Sequence, residues 1–352
     1  MQMWLTLVAL VSIWAVNKQQ SFASLATNLK SDVHNDPNTK VKTTNMASTS
    51  LAAFVICGIE AIFGIVSNSF IIAVSFWDKT EGFTLSPVSL IHIHMGLTNV
   101  IMLIIMTTAV ATFTLSSQTI VPKEFYLVII VSMFFLVTFG FWLTSWLCIY
   151  YCLTIVDFKH NVIRRLKMNL STVVPKILVG TALGSFIISV PTIWYVKLCS
   201  FSAMYGNLTT DCTADSEEVF HFNHFYIIIF ITTGCFFPLS LSITSISFTL
   251  ASILGHIWKI RLNTITLSSS SNQLVAHYRA CRTMILLVVL YILFNIAEVI
   301  TASSSMYAVN VWTVIFWYFT YMYPAAQAAI LISGSSKLKR NLLRMFFLLV
   351  GD

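Results

Sequence analysis

Residues 139–167 read FGFWLTSWLCIYYCLTIVDFKHNVIRRLK. An uncharged apolar run passes here, without a break, into a basic one. The thirty-two residues between Glu124 and Asp157 carry no charge. As a helix they reach ~48 Å, against ~30 Å of bilayer hydrocarbon. A helix of that length has to tilt or project. His160, Arg164, Arg165 and Lys167 follow shortly after Asp157, the bias of a loop held on the cytoplasmic side of a membrane. The stretch therefore reads as the inner end of a transmembrane helix, and the other spans are expected to pack around it.

Composition agrees. Only 9% of the 352 residues are charged, 57% are hydrophobic and the mean hydropathy is +0.83, which excludes an ordinary soluble domain. The net charge of +7 sits in short clusters between apolar spans. That pattern suits loops facing anionic lipid and argues against nucleic acid as a partner. Of the seven cysteines, Cys57, Cys148, Cys152, Cys235 and Cys281 lie in or beside apolar spans and are expected to pack as small hydrophobes. Cys199 and Cys212 flank a polar segment placed outside the cell, where a disulfide between them is permitted.

The order of segments predicts an all-α fold, a seven-transmembrane helix bundle, with spans at 51–76, 87–110, 124–156, 173–196, 223–254, 280–303 and 312–334. Residues 1–45 read as an N-terminal extension, disordered, cleaved or preceding a start at Met46. Residues 46–336 form the membrane domain and 337–352 a short basic cytoplasmic tail. Pro191 is expected to kink or fray the end of span 4, and Pro238 falls inside span 5. Fourteen of the twenty Lys and Arg residues fall on one side of this arrangement, so the N-terminus is expected outside. The sequon Asn207–Leu208–Thr209 then lies in an outer loop and predicts glycosylation at Asn207. A second sequon at Asn169 falls on the inner side and is expected to stay unmodified.

Functional chemistry is sparse. No HExxH, GxSxG or GxxxxGK motif occurs, and no segment pairs carboxylates for acid–base work, so an enzyme is not expected and no cofactor is implied. His92 and His94 are two apart and point to different sides of a helix, a poor metal pair. His221 and His224 read as surface histidines. Two ionisable groups fall inside spans, Glu60 and Glu298. Each is costly in lipid unless it meets a partner or a water-filled cavity. Trp317 and Tyr321 are one turn apart on one face and suit a pocket wall. With so few polar groups, such a pocket suits small amphipathic molecules.

These segments resemble the bitter taste receptors, the type 2 taste receptor family of G-protein-coupled receptors. The resemblance rests on Glu60 with Gly64–Ile71 in span 1 and Leu85–Val88 at the start of span 2. Trp142–Leu143, Leu147, Tyr151–Leu153, Ile155 and Phe158 carry it in span 3, with Leu166–Lys167 after it. Pro238, Leu241 and Ser242 follow in span 5, then His256, Ala276–His277, Leu290–Tyr291, Tyr323–Pro324 and Ser336–Lys339. The chain departs from the family where Asn99 replaces an Arg, Thr154 a Lys, Asp157 an Asn, and Gln327–Ala328 a His–Ser pair.

The resemblance implies a small-molecule agonist in an outer cavity among Met133, Val137, Tyr291, Phe294, Glu298, Trp317 and Tyr321. It further implies a heterotrimeric G protein at the inner face, on Asp157, His160, Arg164, Arg165, Lys167, His256, Lys259 and His277. It moves Glu60 toward a structural role and leaves Glu298 as the unusual polar contact. The expected setting is the plasma membrane, multi-pass in the lipid bilayer. A type 1 vomeronasal receptor is the alternative within the class, since residues 90–103 would suit one. A solute transporter is the alternative outside it, but internal repeats and matched broken helices are missing.

Overall fold

A computed structural model of the chain describes residues 37–77, 85–115, 123–158, 160–195, 197–198, 220–221, 229–262, 270–303 and 311–350. Long helices dominate it. The first three are α1 (Pro37–Trp77), α2 (Pro87–Leu115) and α3 (Lys123–Ile155). A short α4 (Asn161–Met168) precedes α5 (Leu170–Ser189), and one turn, α6 (Thr192–Tyr195), follows it. Span 5 is a π-helical segment, Ile231–Phe236, continued by α7 (Phe237–Leu262). The last three are α8 (Ser270–Ser303), α9 (Val311–Gly334) and α10 (Ser336–Val350). Between α6 and span 5 two residue pairs join antiparallel, Lys197 with His221 and Leu198 with Phe220, so the ends of the outer loop meet.

Six of the seven predicted spans are long and apolar enough to cross a bilayer within their described residues, from Ile56–Trp77 to Val275–Asn295. The seventh, α9, has 24 residues, or ~36 Å of helix. Helix α3 sits centrally, touching α2, α5, α7 and α8, while α9 closes the ring against α1 and α8. Side chains pointing outward are largely apolar, among them Ile62, Phe63, Val179, Ile187, Val289 and Leu293, as lipid rather than water requires. Helix α3 buries Phe134, Leu143, Leu147 and Cys148 almost completely, the all-round burial of a central span.

Several boundaries differ from the sequence reading. The basic run after span 3 is helical in α4, where Ile163 and Leu166 are partly buried and Arg164 and Arg165 exposed. An amphipathic stretch without Gly or Pro folds against the membrane face rather than staying a loop. Asn169 accepts hydrogen bonds from the N–H groups of Thr172 and Val173 while donating its own to Arg165 and Leu166, so α5 starts three residues before the expected boundary. Span 4 breaks where expected, with Ser189 its last helical residue before Pro191. The inner loop predicted at 255–279 shrinks, because α7 runs on to Leu262 and α8 begins at Ser270. Long basic side chains let a helix extend past the hydrocarbon by keeping their charged ends in the headgroup layer. The terminal basic tail is likewise the amphipathic helix α10 from Ser336, with Leu338 buried and Lys339 and Arg340 exposed.

Span 5 departs most from an ideal helix. Pro238 has no N–H, and its ring crowds the carbonyl four residues back, that of Gly234. The π turn is wider and relieves that crowding. Gly234 also lets this segment approach α3, since a Cβ there would stand 3.2 Å from Thr138 Oγ1. The Pro238 carbonyl is not wasted: Ser242 Oγ donates to it at 2.9 Å and Ser145 of α3 reaches the same oxygen.

Candidate functional site

The outer half of the bundle holds an aromatic and thioether cluster. Met133 and Val137 of α3, Tyr291 and Phe294 of α8 and Tyr321 of α9 all belong to it, each less than 9% exposed. Five of the seven expected ligand-binding side chains are thus brought together. The side chains of the other two, Glu298 and Trp317, lie outside the described residues. Phe141 packs edge-to-face on Tyr291 with centroids 4.0 Å apart, Phe294 lies 4.5 Å from Tyr323, and Phe134 meets Phe230 at 4.7 Å. The Tyr291 hydroxyl donates to the Cys235 carbonyl at 2.9 Å, tying α8 to the π-helical turn.

Toward α1 the cluster turns polar. Tyr321 comes near two polar side chains there, Thr107 and Glu60. Glu60 Oε2 is buried without a hydrogen-bond partner among the described residues. His92 is buried and His94 lies 2.8 Å from the Leu90 carbonyl, the divergent pair anticipated. Among the described residues no three His, Cys, Asp or Glu side chains group to hold a metal.

Directly inward lies a layer of amides. Asn99 Nδ2 donates to Asn68 Oδ1 at 2.9 Å and to Gln327 Oε1 at 2.7 Å. Asn68 Nδ2 donates to the carbonyls of Gly64 at 2.8 Å and Pro324 at 3.1 Å. Gln327 Nε2 reaches Thr144 Oγ1 and the Tyr323 hydroxyl, both at 3.4 Å. Each amide nitrogen therefore has two acceptors, and four helices, α1, α2, α3 and α9, are joined without any charge. Tyr323 belongs to both layers: its ring packs in the aromatic cluster and its hydroxyl ends the amide chain.

A packed aromatic cluster thus lies above a layer of neutral amides in this helix bundle. A family model described as taste receptor protein (TAS2R) matches residues 45–350. The chain belongs to that family. It is 27% identical to human taste receptor type 2 member 9 over 81% of this chain and 90% of that one. It is 26% identical to rat taste receptor type 2 member 41 over 62% of this chain and 70% of the relative. The corresponding values for chicken taste receptor type 2 member 40 are 23%, 82% and 92%. This is a family of membrane receptors and not of enzymes.

Two of the receptor's departures from its family now explain each other. Asn99 stands where the resemblance places an Arg, and Gln327 where it places a His. Here they bond directly at 2.7 Å, a pair of neutral amides in place of an Arg and a His. At the basic end, Asp157, His160, Arg164 and Arg165 are exposed, and Lys167 and His277 partly so. They lie after α3, on α4 and near the start of α8, around the inner mouth of the bundle. The side chains of His256 and Lys259, and the whole of Asn207, Cys199 and Cys212, lie outside the described residues. The other five cysteines are unbonded. Sequence reasoning passed over Phe134, Phe141 and Phe230. The first two fall within one and four residues of Met133 and Val137, on the same broad face, a spacing that would have found them.

Proposed function

We propose that this receptor binds small amphipathic, bitter-type agonists in the outer half of the bundle and activates a heterotrimeric G protein at its basic inner face. The plasma membrane is its site of action, with the N-terminus outside and Asn207 glycosylated. The observation that carries this reading is Tyr323, shared between the aromatic cluster and the amide layer. An agonist entering among Met133, Val137, Tyr291, Phe294 and Tyr321, under Glu298 and Trp317, displaces packed side chains. Displacement of Phe294 moves Tyr323, whose hydroxyl holds Gln327. Activation follows only when the agonist binds the rearranged packing better than the resting one.

The inner contacts assigned to the G protein are Asp157, His160, Arg164, Arg165 and Lys167 from the α3–α4 region, His256 and Lys259 from α7, and His277 from α8. The test is expression in cultured cells with a promiscuous G protein, reading calcium against a panel of bitter compounds. Responses are expected, and Tyr323→Phe should lower maximal response while surface expression and agonist potency change by less than about threefold, since one weak hydrogen bond is lost. Silence of the wild-type receptor across the panel, with normal surface expression, would overturn the reading.

A further inference from the structure

At the inner end of the bundle, a cavity of about 270 Å³ opens between α8 and the elbow joining α9 to α10. Arg279, Arg282 and Lys339 line it, and none of its lining residues is acidic. Among the described residues no carboxylate pairs with any of the three. The two helices meet closely here because Gly334 has no side chain: a Cβ would collide with Thr283 Oγ1.

The cavity faces the bilayer, not the bundle interior. On α8 the inward face is Met284, Leu287 and Val288, which pack on α3 and its neighbours. The cavity face is Val275, Tyr278 and Arg282, all exposed, and the same strip continues outward into exposed Val289 and Leu293. His277, assigned above to the G protein, lies about 140° round the helix from Arg282 at 100° per residue. The two sites therefore do not overlap.

Depth supplies the second argument. Arg282 stands at the inner edge of the span predicted at 280–303, two residues past its first position. A guanidinium at that level, without a carboxylate, stands within reach of the lipid headgroups and their phosphates. The hydroxyls of Thr283 and Ser333 already donate to the backbone of their own helices, at 2.9 Å each. They leave the cations as the anion-binding donors. Two planar guanidiniums beside an ammonium suit a phosphate, which accepts paired N–H donors. The exposed apolar strip beside them suits acyl chains, and exposed Leu342 and Leu343 lie on the Lys339 side of α10.

We propose that this cavity is a binding site for the phosphate-bearing headgroup of an anionic phospholipid of the inner leaflet. Its occupant fixes the angle between α8 and the α9–α10 elbow. The probe is a fluorescent phosphatidylinositol bisphosphate diluted into phosphatidylcholine nanodiscs that hold the full-length receptor, with energy transfer to a dye on the receptor as readout. The triple variant R279Q/R282Q/K339Q is expected to weaken association by roughly tenfold to a hundredfold. Ser333→Asp, which keeps all three cations and adds a carboxylate among them, should act in the same direction, and it guards against a triple variant that fails to fold.

A matched removal of three charges elsewhere, R164Q/R165Q/K176Q, should cost less than about threefold by the loss of general surface potential. Equal losses in the two triple variants would reduce the site to a diffuse basic face and overturn the proposal. Soluble inositol trisphosphate separates the headgroup from the membrane. If it competes as tightly as the lipid itself, the phosphate chemistry stands and the lipid is the wrong source. These outcomes are independent of agonist response, so a receptor silent in the calcium assay still decides them.

Discussion

The aromatic cluster in the outer half and the amide layer beneath it are both fully buried, but they hold the bundle in different ways. Phe141, Tyr291, Phe294 and Tyr321 touch through dispersion and ring edges, which are weakly directional and can be met by more than one packing. Asn68, Asn99 and Gln327 meet through directed hydrogen bonds between 2.7 and 2.9 Å, which are either made or lost. One layer can adapt to molecules of varied shape. The other is held in one pattern of bonds that breaks only as whole bonds, the behaviour the proposed switch requires.

The sharpest way to break that comparison is Asn99→Leu. It removes both donors at once and strands Asn68 Oδ1 and Gln327 Oε1 in the core. The cost should be about 2 kcal/mol or more, since a buried unsatisfied acceptor costs ~1–3 kcal/mol, read as a lower unfolding temperature in detergent. A loss no larger than ~0.6 kcal/mol, typical of a single interhelical bond in a membrane, would mean the layer relaxes freely and is no switch. Next, Glu298→Gln should weaken cationic agonists by roughly tenfold while leaving neutral ones unchanged, the worth of one partly desolvated charge contact. Equal effects on both would reject an ionic contact.

Tyr291→Phe keeps the ring and removes only the bond to the Cys235 carbonyl. About 1 kcal/mol of stability should go, and agonist rank order should hold. The smallest effect belongs to Met133→Leu, a volume-conserving change worth under ~1.5 kcal/mol. It should leave the unfolding temperature almost unmoved and yet reorder agonist potencies, because the cluster sets shape. If stability fell while potencies stayed, the adaptable and rigid layers would have been assigned the wrong way round.

Much of this was legible beforehand. The uncharged run from 125 to 156 announced a central helix because nothing but hydrocarbon or a core accommodates it. Spans 1 to 7 followed from the same hydropathy. Five residues singled out as pocket candidates, from family resemblance and helical spacing together, pack in one cluster. The pairing of Asn99 with Gln327 was not legible. They are 228 residues apart, and no local pattern signals which amides meet across a bundle. The inner helices were missed for a different reason. Hydropathy marks where a helix leaves hydrocarbon, whereas α4 and the first turns of α8 persist beyond it on amphipathic spacing alone.

The π-helical segment before Pro238 also bears on how span 5 is read. Its buried positions Phe230, Gly234, Pro238 and Ser242 recur every four residues. In an ideal α-helix that spacing drifts by about 40° at each step, and Phe230 would have wandered off the contact with Phe134. The wide turn acts as a phase correction, absorbing the drift so that a strict four-residue rhythm stays aimed at α3. Losing a single residue between 231 and 236 would thus alter direction more than length: the outer end of span 5 would turn a different face to the cavity, with every side chain still hydrophobic and still in sequence.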